Sequence, residues 1–401
     1  MKSRKWQYIF TVFLLSFGLF FGVFSHPKQG IMPEPEKNEE EIGTSDFPRL
    51  SIFLKDVSLE EIDNNGKNMK YPGNTAVFTV NNEEYSFEDV EIKGRGNSTW
   101  SSNKKPYQIK FKDKINLFGL GKAKNWILLA NAYDITHLRN EMAYYLAEML
   151  DEEYRIEGEF VELFIDNDYR GLYYLTHKVE ISSGSVNLKD EKGVLAEVDT
   201  IHLQGAGDFT SSASQILDFK DFVSGDEDKQ AEAKAEFIEN FNNLEKFAEE
   251  KKWGKIVDLI DAKSFINYYL ISDFTDNVDA YGTSHFFYKN GSSGKIHAGP
   301  AWDFDLAFGN ANWAQTMSPI FEGLIEIPEF QEAVRKLYEE KLSGKLEEYL
   351  AHLDEKTAEI REAALRSDEM WETGSNFDEA VEGLKNWVVE RFGYLEEKYG
   401  K

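Results

Sequence analysis

From Arg49 onward the chain alternates apolar and polar residues in short runs, first RLSIFLKDV, then TAVFTV and YSFEDVEIKG. A period of two puts every second side chain on one face, so each run reads as a half-buried β-strand. Two further strands, PYQIKF and NWILLAN, follow the glycine-bearing turn KGRGNSTW. The period then lengthens: LRNEMAYYLAEML repeats apolar residues at helical spacing behind Asp134 and Thr136, either of which suits an N-cap. Two more strands flank an Asn-Asp turn in EFVELFIDNDYRGLYYLTHKVE, and GVLAEVD reads as another. After residue 215 the pattern is mainly helical, from DKQAEAKAEFIENFNNLEKFAEE through SFINYYLISDF to the C-terminus. A strand pair within SHFFYKNGSSGKIHAGPAWDFD interrupts the helices. Strands first and helices second predict an α+β fold with a strand-rich lobe over 47–215, a helical lobe over 216–401 and a cleft between them.

Ahead of the first strand, Lys2, Arg4 and Lys5 precede an uncharged run from Trp6 to Phe24. As a helix this run reaches roughly 28 Å, about a bilayer's hydrocarbon thickness. Residues 1–25 therefore read as a signal peptide or an uncleaved signal anchor, with Val23 and Ser25 a small-residue cleavage pair. The basic flank keeps the N-terminus inside and sends the rest outward, so the chain is expected to be exported and either surface-anchored or secreted. The polar stretch 26–46, rich in Pro, Glu and Gly, reads as a tether, leaving membrane contact to the N-terminal segment alone.

Composition narrows the function. The 401 residues are 41% hydrophobic and carry a formal charge of -27. A phosphate backbone would be repelled by that charge, which argues against a nucleic-acid partner. There is no cysteine, so disulfides, thiolate nucleophiles and Cys-based metal centres are excluded. An exported chain without cysteine suggests a bacterial surface.

Two clusters carry candidate chemistry. Between Lys93 and Asn125 the charge inverts: Lys93, Arg95, Lys104, Lys105, Lys110, Lys112, Lys114, Lys122 and Lys124 meet a single acid, Asp113. This island contains Gly94, Gly96 and Asn97, where backbone N–H groups can approach an anion closely. On PYQIKF, Tyr107, Ile109 and Phe111 share one face, which puts Lys110 on the polar face beside the glycine turn. The second cluster is DFTDNVDAYGTS followed by GPAWDFDLAFGN. If WDFD is extended, Asp303 and Asp305 share a face with Cα atoms about 6.6 Å apart, while Trp302 and Phe304 anchor the other. Oxygen ligands at that spacing suit Mg²⁺ or Mn²⁺. Asp273, Asp276, Asn277 and Asp279 crowd the preceding junction, although acids in loops also serve as turn formers and caps. His285 and His297 lack a zinc spacing and read as packing residues. A carboxylate pair also suits a glycosidase, but that reaction leaves the basic island without a task. Phosphoryl transfer uses both clusters.

The motifs KGRGNSTW, KKPYQIKF, NWILLANAYDITHLRNEMA, GLYYLTHKVEI, GVLAEVD, DNVDAYGTS and AGPAWDFDLAFGN occur in this order, and over roughly residues 47–330 they resemble the CotH family of spore-coat and surface kinases. The resemblance implies a highly diverged protein-kinase-like, two-lobed fold, ATP with Mg²⁺ or Mn²⁺, and phosphorylation of Ser or Thr hydroxyls on surface or coat proteins. Carried over by position, it makes Asp303 the metal-binding aspartate, Asp305 a supporting ligand and Asp279 the catalytic base. Ser284 stands where kinases place a metal-binding Asn, with Asn277 a substitute. Lys110 is the expected phosphate lysine, with Lys93 and Arg95 as rivals and Glu141 or Glu148 as its partner. His177 replaces a Glu common among relatives, and Arg139 reads as orienting Asp134. Two further readings stay open: a catalytically weak surface or coat scaffold, and a metal-dependent phosphotransferase acting on a wall polymer or small molecule.

Overall fold

The computed structural model describes residues 47–203, 207–374 and 376–400; the expected signal segment 1–25 and tether 26–46 lie outside them. The chain is α+β, as its alternation predicts. Its first half closes into a barrel of β1 (Arg49–Phe53), β2 (Tyr71–Val80), β3 (Glu83–Gly94), β4 (Tyr107–Asn116), β5 (Lys122–Leu129), β6 (Gly158–Ile165) and β7 (Asp168–His177), in the order β1-β2-β3-β4-β5-β7-β6. Closure comes from β1, which pairs antiparallel with β2 and parallel with β6. The period-2 faces fill its interior: Leu50, Ile52, Phe78, Tyr107, Ile109 and Trp126 are fully buried. Asp166 and Asn167 turn β6 into β7 with positive φ of 50° and 71°, the conformation a two-residue hairpin needs. The turn therefore falls one residue before the expected Asn-Asp pair.

Helix α1 (Leu59–Asn64) fills the β1–β2 connection, and α2 (Arg139–Met149) follows β5. Asp134 does serve the start of α2, its Oδ2 accepting from the Arg139 N–H at 2.9 Å, while the Arg139 guanidinium contacts Oδ1. The expected orienting role of Arg139 is thus present.

A second sheet runs β12-β11-β8-β10-β9 and takes strands from both sides of residue 215. It comprises β8 (Val194–Val198), β9 (Phe209–Thr210), β10 (Ile216–Phe222), β11 (His285–Lys289) and β12 (Ile296–Ala298), with the short α3 (Thr200–Leu203) leaving β8. Helices α4 (Glu227–Glu249), α5 (Trp253–Leu259) and α6 (Ala262–Thr275) pack beside this sheet. The rest is helical: α7 (Pro319–Leu324), α8 (Pro328–Lys341), α9 (Leu346–Met370) and α10 (Phe377–Tyr399). Long α9 binds the two halves together. The Lys104 ammonium, from the basic island, is buried there and donates to the Leu172 carbonyl at 2.6 Å and to Ser367 Oγ at 3.1 Å. Burial pulls its pKa down to about 7. Among the described residues no helix is long and apolar enough to cross a membrane.

Candidate active site

The end of β3 and the turn that follows it face β8, β10 and the WDFD segment across a cavity of about 640 Å³. That volume suits a nucleotide-sized ligand. Lys93, Gly94, Arg95, Gly96 and Asn97 line one side, and Asp279, Ser284, Asp303 and Asp305 line the other. The two clusters far apart in sequence thus share one chamber. The glycine turn is held by Lys67, itself on the cavity wall, whose ammonium donates to the Gly96 carbonyl at 2.7 Å and to Asn97 Oδ1 at 2.8 Å. At Gly94 a Cβ would come within 2.3 Å of the Trp100 ring. Gly94→Ala is therefore expected to push the indole or the turn aside and to lower stability by about 1–3 kcal/mol, read by denaturant unfolding.

The carboxylate side is built differently from an extended strand. Asp303 adopts φ 71°, so the alternation breaks at the residue expected to carry it. Trp302 and Phe304 still anchor the segment, both packed on Tyr144 with ring centroids 6.3 and 6.0 Å away. The Phe304 N–H donates to Asn140 Oδ1 at 2.8 Å. Ser284, also left-handed at φ 53°, donates from Oγ to Asp303 Oδ2 at 3.1 Å. Asn277 donates from Nδ2 to the Asp303 carbonyl at 3.2 Å and accepts the Asp279 N–H at 3.1 Å. It does not line the cavity. Instead of acting as the expected ligand, it ties the two aspartate segments together. Asp273 is bound by Lys398 at 2.9 Å and by the Tyr399 hydroxyl at 2.7 Å, and exposed Asp276 is the left-handed C-cap of α6. Both are structural.

Electrostatics marks the cavity. Burial, then Asp303, raises the Asp279 carboxyl, and the same two causes hold Asp305 well above the usual carboxylate range. Opposite them, burial lowers Lys93, with Lys178 the next cause. Burial also lowers Arg95, against the pull of Asp303, and its guanidinium lies 5.6 Å from the Trp302 ring. Crowded carboxylates and crowded cations face each other across open space, where a cation and an anion would relieve both. Among the described residues no three acidic or histidine side chains close on one point. An ion held by Asp303 and Asp305 would have to complete its shell with waters and phosphate oxygens, as Mg²⁺ does.

Several expected residues lie elsewhere. Lys110 pairs with Glu91 and Asn125 on the barrel wall, three rungs from the Gly94–Tyr107 pair at the turn. Three residues of strand span about 10 Å, so Lys110 shares the polar face without reaching the cavity. Glu141 is enclosed between the Tyr174 hydroxyl at 2.7 Å and His352 Nε2 at 2.8 Å, and Glu148 is exposed; neither lines the cavity. His177 packs on Trp126, 4.5 Å between rings, and is also absent from the cavity wall. His285 stacks on Tyr268 at 4.0 Å, and burial lowers its pKa to about 3, as a packing histidine requires.

One acid–base pair that does line the cavity is Glu197 on β8 with Lys220 on β10, 2.7 Å apart. The β8–β10 register shifts between Phe219 and Asp221, making Lys220 a bulged residue re-aimed off the ladder. The glutamate and aspartate in GVLAEVD were the available signal for Glu197 and Asp199; a bulge leaves no periodic mark for Lys220. Lys67, Lys178, Asp199, His202 and Thr283 are among the other polar residues of the wall.

The family model described as CotH kinase protein matches residues 92–395, from within β3 to within α10, and so encloses both clusters. No curated protein matches the chain. With most of its length matched, the chain belongs to the CotH kinase family.

Proposed function

We propose that the chain is an exported, metal-dependent kinase that transfers the ATP γ-phosphoryl group to Ser or Thr hydroxyls of surface or coat proteins. The observation that carries this reading is the single cavity into which Lys93, Arg95, Lys178 and Lys220 project with Asp279, Asp303 and Asp305. Family membership supports a kinase, and the donor set supports a divalent ion. Mg²⁺ or Mn²⁺, when bound, would neutralise charge on the transferring phosphoryl group.

The chain's own residues divide the remaining work. Asp303 and Asp305 hold the ion, and Ser284 orients Asp303 through Oδ2. Arg95 and Lys93, next to the glycine turn, balance phosphate charge. Asp279, its carboxyl raised by burial, is suited to accept the proton of the attacking hydroxyl. The kinase-like, two-lobed organisation belongs to the same proposal, with the barrel covering the phosphates. So does export through the N-terminal apolar run, with surface or coat proteins as partners and no nucleic acid.

Incubating the full chain with γ-labelled ATP, Mn²⁺ and serine-containing acceptor proteins tests the reading. Transfer to protein hydroxyls supports it; no transfer, together with no nucleotide-dependent thermal shift, refutes it. One observation favours a catalytically weak scaffold: the Ser284 hydroxyl offers less to a second ion than an amide at that position would. Nucleotide binding without transfer would favour it. The cavity wall also predicts a contrast: Arg95→Ala should weaken nucleotide binding about tenfold or more, while Lys110→Ala leaves it unchanged, both by calorimetry.

A further inference from the structure

The cavity holds a histidine to which the scheme above gives no task. His202 stands on α3 at the cavity wall with its side chain 35% exposed. Its Nδ1 lies 2.8 Å from Asp199 Oδ1, and Thr283 Oγ1 donates to the same oxygen at 2.7 Å. Asp199 is itself buried, and its N–H donates to the Ile216 carbonyl on β10, so its main chain is pinned to the sheet. An ionised carboxylate can only accept, which makes Nδ1 the protonated nitrogen and leaves the lone pair on Nε2. Among the described residues Nε2 has no hydrogen-bonding partner. An aspartate fixing one ring nitrogen while the other stays free is how a histidine is prepared to take a proton.

The neighbours supply the proton's route. Asp279 lies on the same wall, and the backbone joins it to α3: its carbonyl accepts the Gly282 and Thr283 N–H groups at 3.1 and 3.2 Å, and the Gly282 carbonyl accepts those of Thr200 and Ile201 at 2.9 and 3.3 Å. The charged groups sharing the wall with His202 are Asp199, directly after β8, Asp279 from the loop after α6, and Lys67, which interacts with Asp199. Asp199 also accepts the His202 backbone N–H at 3.2 Å, so simple capping of α3 is the competing explanation.

We propose that His202, oriented by Asp199 and Thr283, is a proton-accepting residue of the transfer reaction, receiving through Nε2 the proton that Asp279 removes from the acceptor hydroxyl. This rests on the phosphotransferase reading. The acceptor O–H bond breaks as its oxygen bonds to phosphorus, and the bond from that phosphorus to the leaving diphosphate oxygen breaks with its electron pair on the diphosphate. The proton moves to an Asp279 oxygen and then to Nε2, where the imidazolium is paired with Asp199. Asp279 is thereby returned to its ionised form.

His202→Gln in the full chain is the test, since the glutamine amide can still donate to Asp199 and keep α3 capped. The variant should lower kcat about 10- to 100-fold with KM for ATP unchanged, and the acidic limb of the kcat–pH profile should change position, because Asp279 alone then sets it. Nitrogen-15 NMR of the nucleotide-free chain reads the geometry separately. It should show the Nδ1–H tautomer at His202. Wild-type kcat with an intact acidic limb in His202→Gln overturns the role, as does an Nε2–H tautomer. A wild-type chain that transfers no phosphate overturns the kinase reading and this role together. Wild-type activity therefore separates the two failures.

Discussion

Asp303→Ala is expected to lower phosphoryl transfer at least about a thousandfold, because it removes an ion-holding carboxylate from a reaction carried by positioning and charge stabilisation. Asp303 is where the cavity's interactions converge: Ser284 Oγ reaches its carboxylate at 3.1 Å, and Asn277 holds its carbonyl at 3.2 Å. It also faces Arg95 and raises both Asp279 and Asp305. The fold should survive, because Trp302 and Phe304 stay packed on Tyr144 and the Asn277 bond is to the backbone. Alanine at φ 71° costs roughly 1–2 kcal/mol. Asp303→Asn separates that strain from chemistry, since asparagine tolerates the left-handed region and can still accept from Ser284. Both variants should lose transfer while circular dichroism and melting remain close to wild type. Asp303→Asn retaining more than a tenth of wild-type kcat would remove Asp303 from the ion site. Asp279 and Asp305, relieved of a like charge, should both become easier to ionise in either variant.

The clusters that make this prediction possible were legible because each disturbs a strong background. Nine cations against Asp113 stand out in a chain at -27, and WDFD alternates acids with large aromatics. Period-2 alternation likewise identifies Tyr107, Ile109 and Phe111 as an inward face, and all three are buried. What sequence conveys poorly is distance along an element and identity of a partner. Lys110 has the right face and sits three rungs too far down β4. Glu141 sits on the expected helix, yet its partners come from β7 and from His352 on α9, 211 positions away. Lys220 reaches the cavity only because β10 bulges, and Asp303 departs from the extended geometry that made its spacing attractive. His177 differs from a common family residue, but it packs on Trp126 beyond the cavity wall, so the change leaves the lining untouched. Misplacements thus fall where a bulge, a left-handed residue or a long-range contact overrides the local pattern.

The fold also stores a pH dependence behind the aspartate segment. Glu152 accepts the Ala301 N–H through Oε1 at 2.9 Å, two residues before Asp303, while its Oε2 is buried without a hydrogen-bonding partner. Burial pushes this carboxyl up from 4.5 to about 8, with the Ala301 bond opposing. Between those values the unfolded chain gives up a proton that the folded chain keeps, so this group's contribution to stability is greatest in acid and declines as pH rises toward 8. The limiting slope is about 1.4 kcal/mol per pH unit, and water reaching the carboxylate reduces the total to something on the order of 2 kcal/mol. Glu159, also raised to about 8, pulls the same way, which is why the wild-type slope alone does not isolate Glu152. Glu152→Gln does isolate it, because the amide oxygen can keep the Ala301 bond and carries no charge. Denaturant unfolding at pH 5, 6.5 and 8 should show the variant gaining on wild type as pH rises and exceeding it at pH 8. Equal differences at all three pH values would mean that Glu152 is ionised throughout, and that the link holding Ala301 behind Asp303 is a charged one.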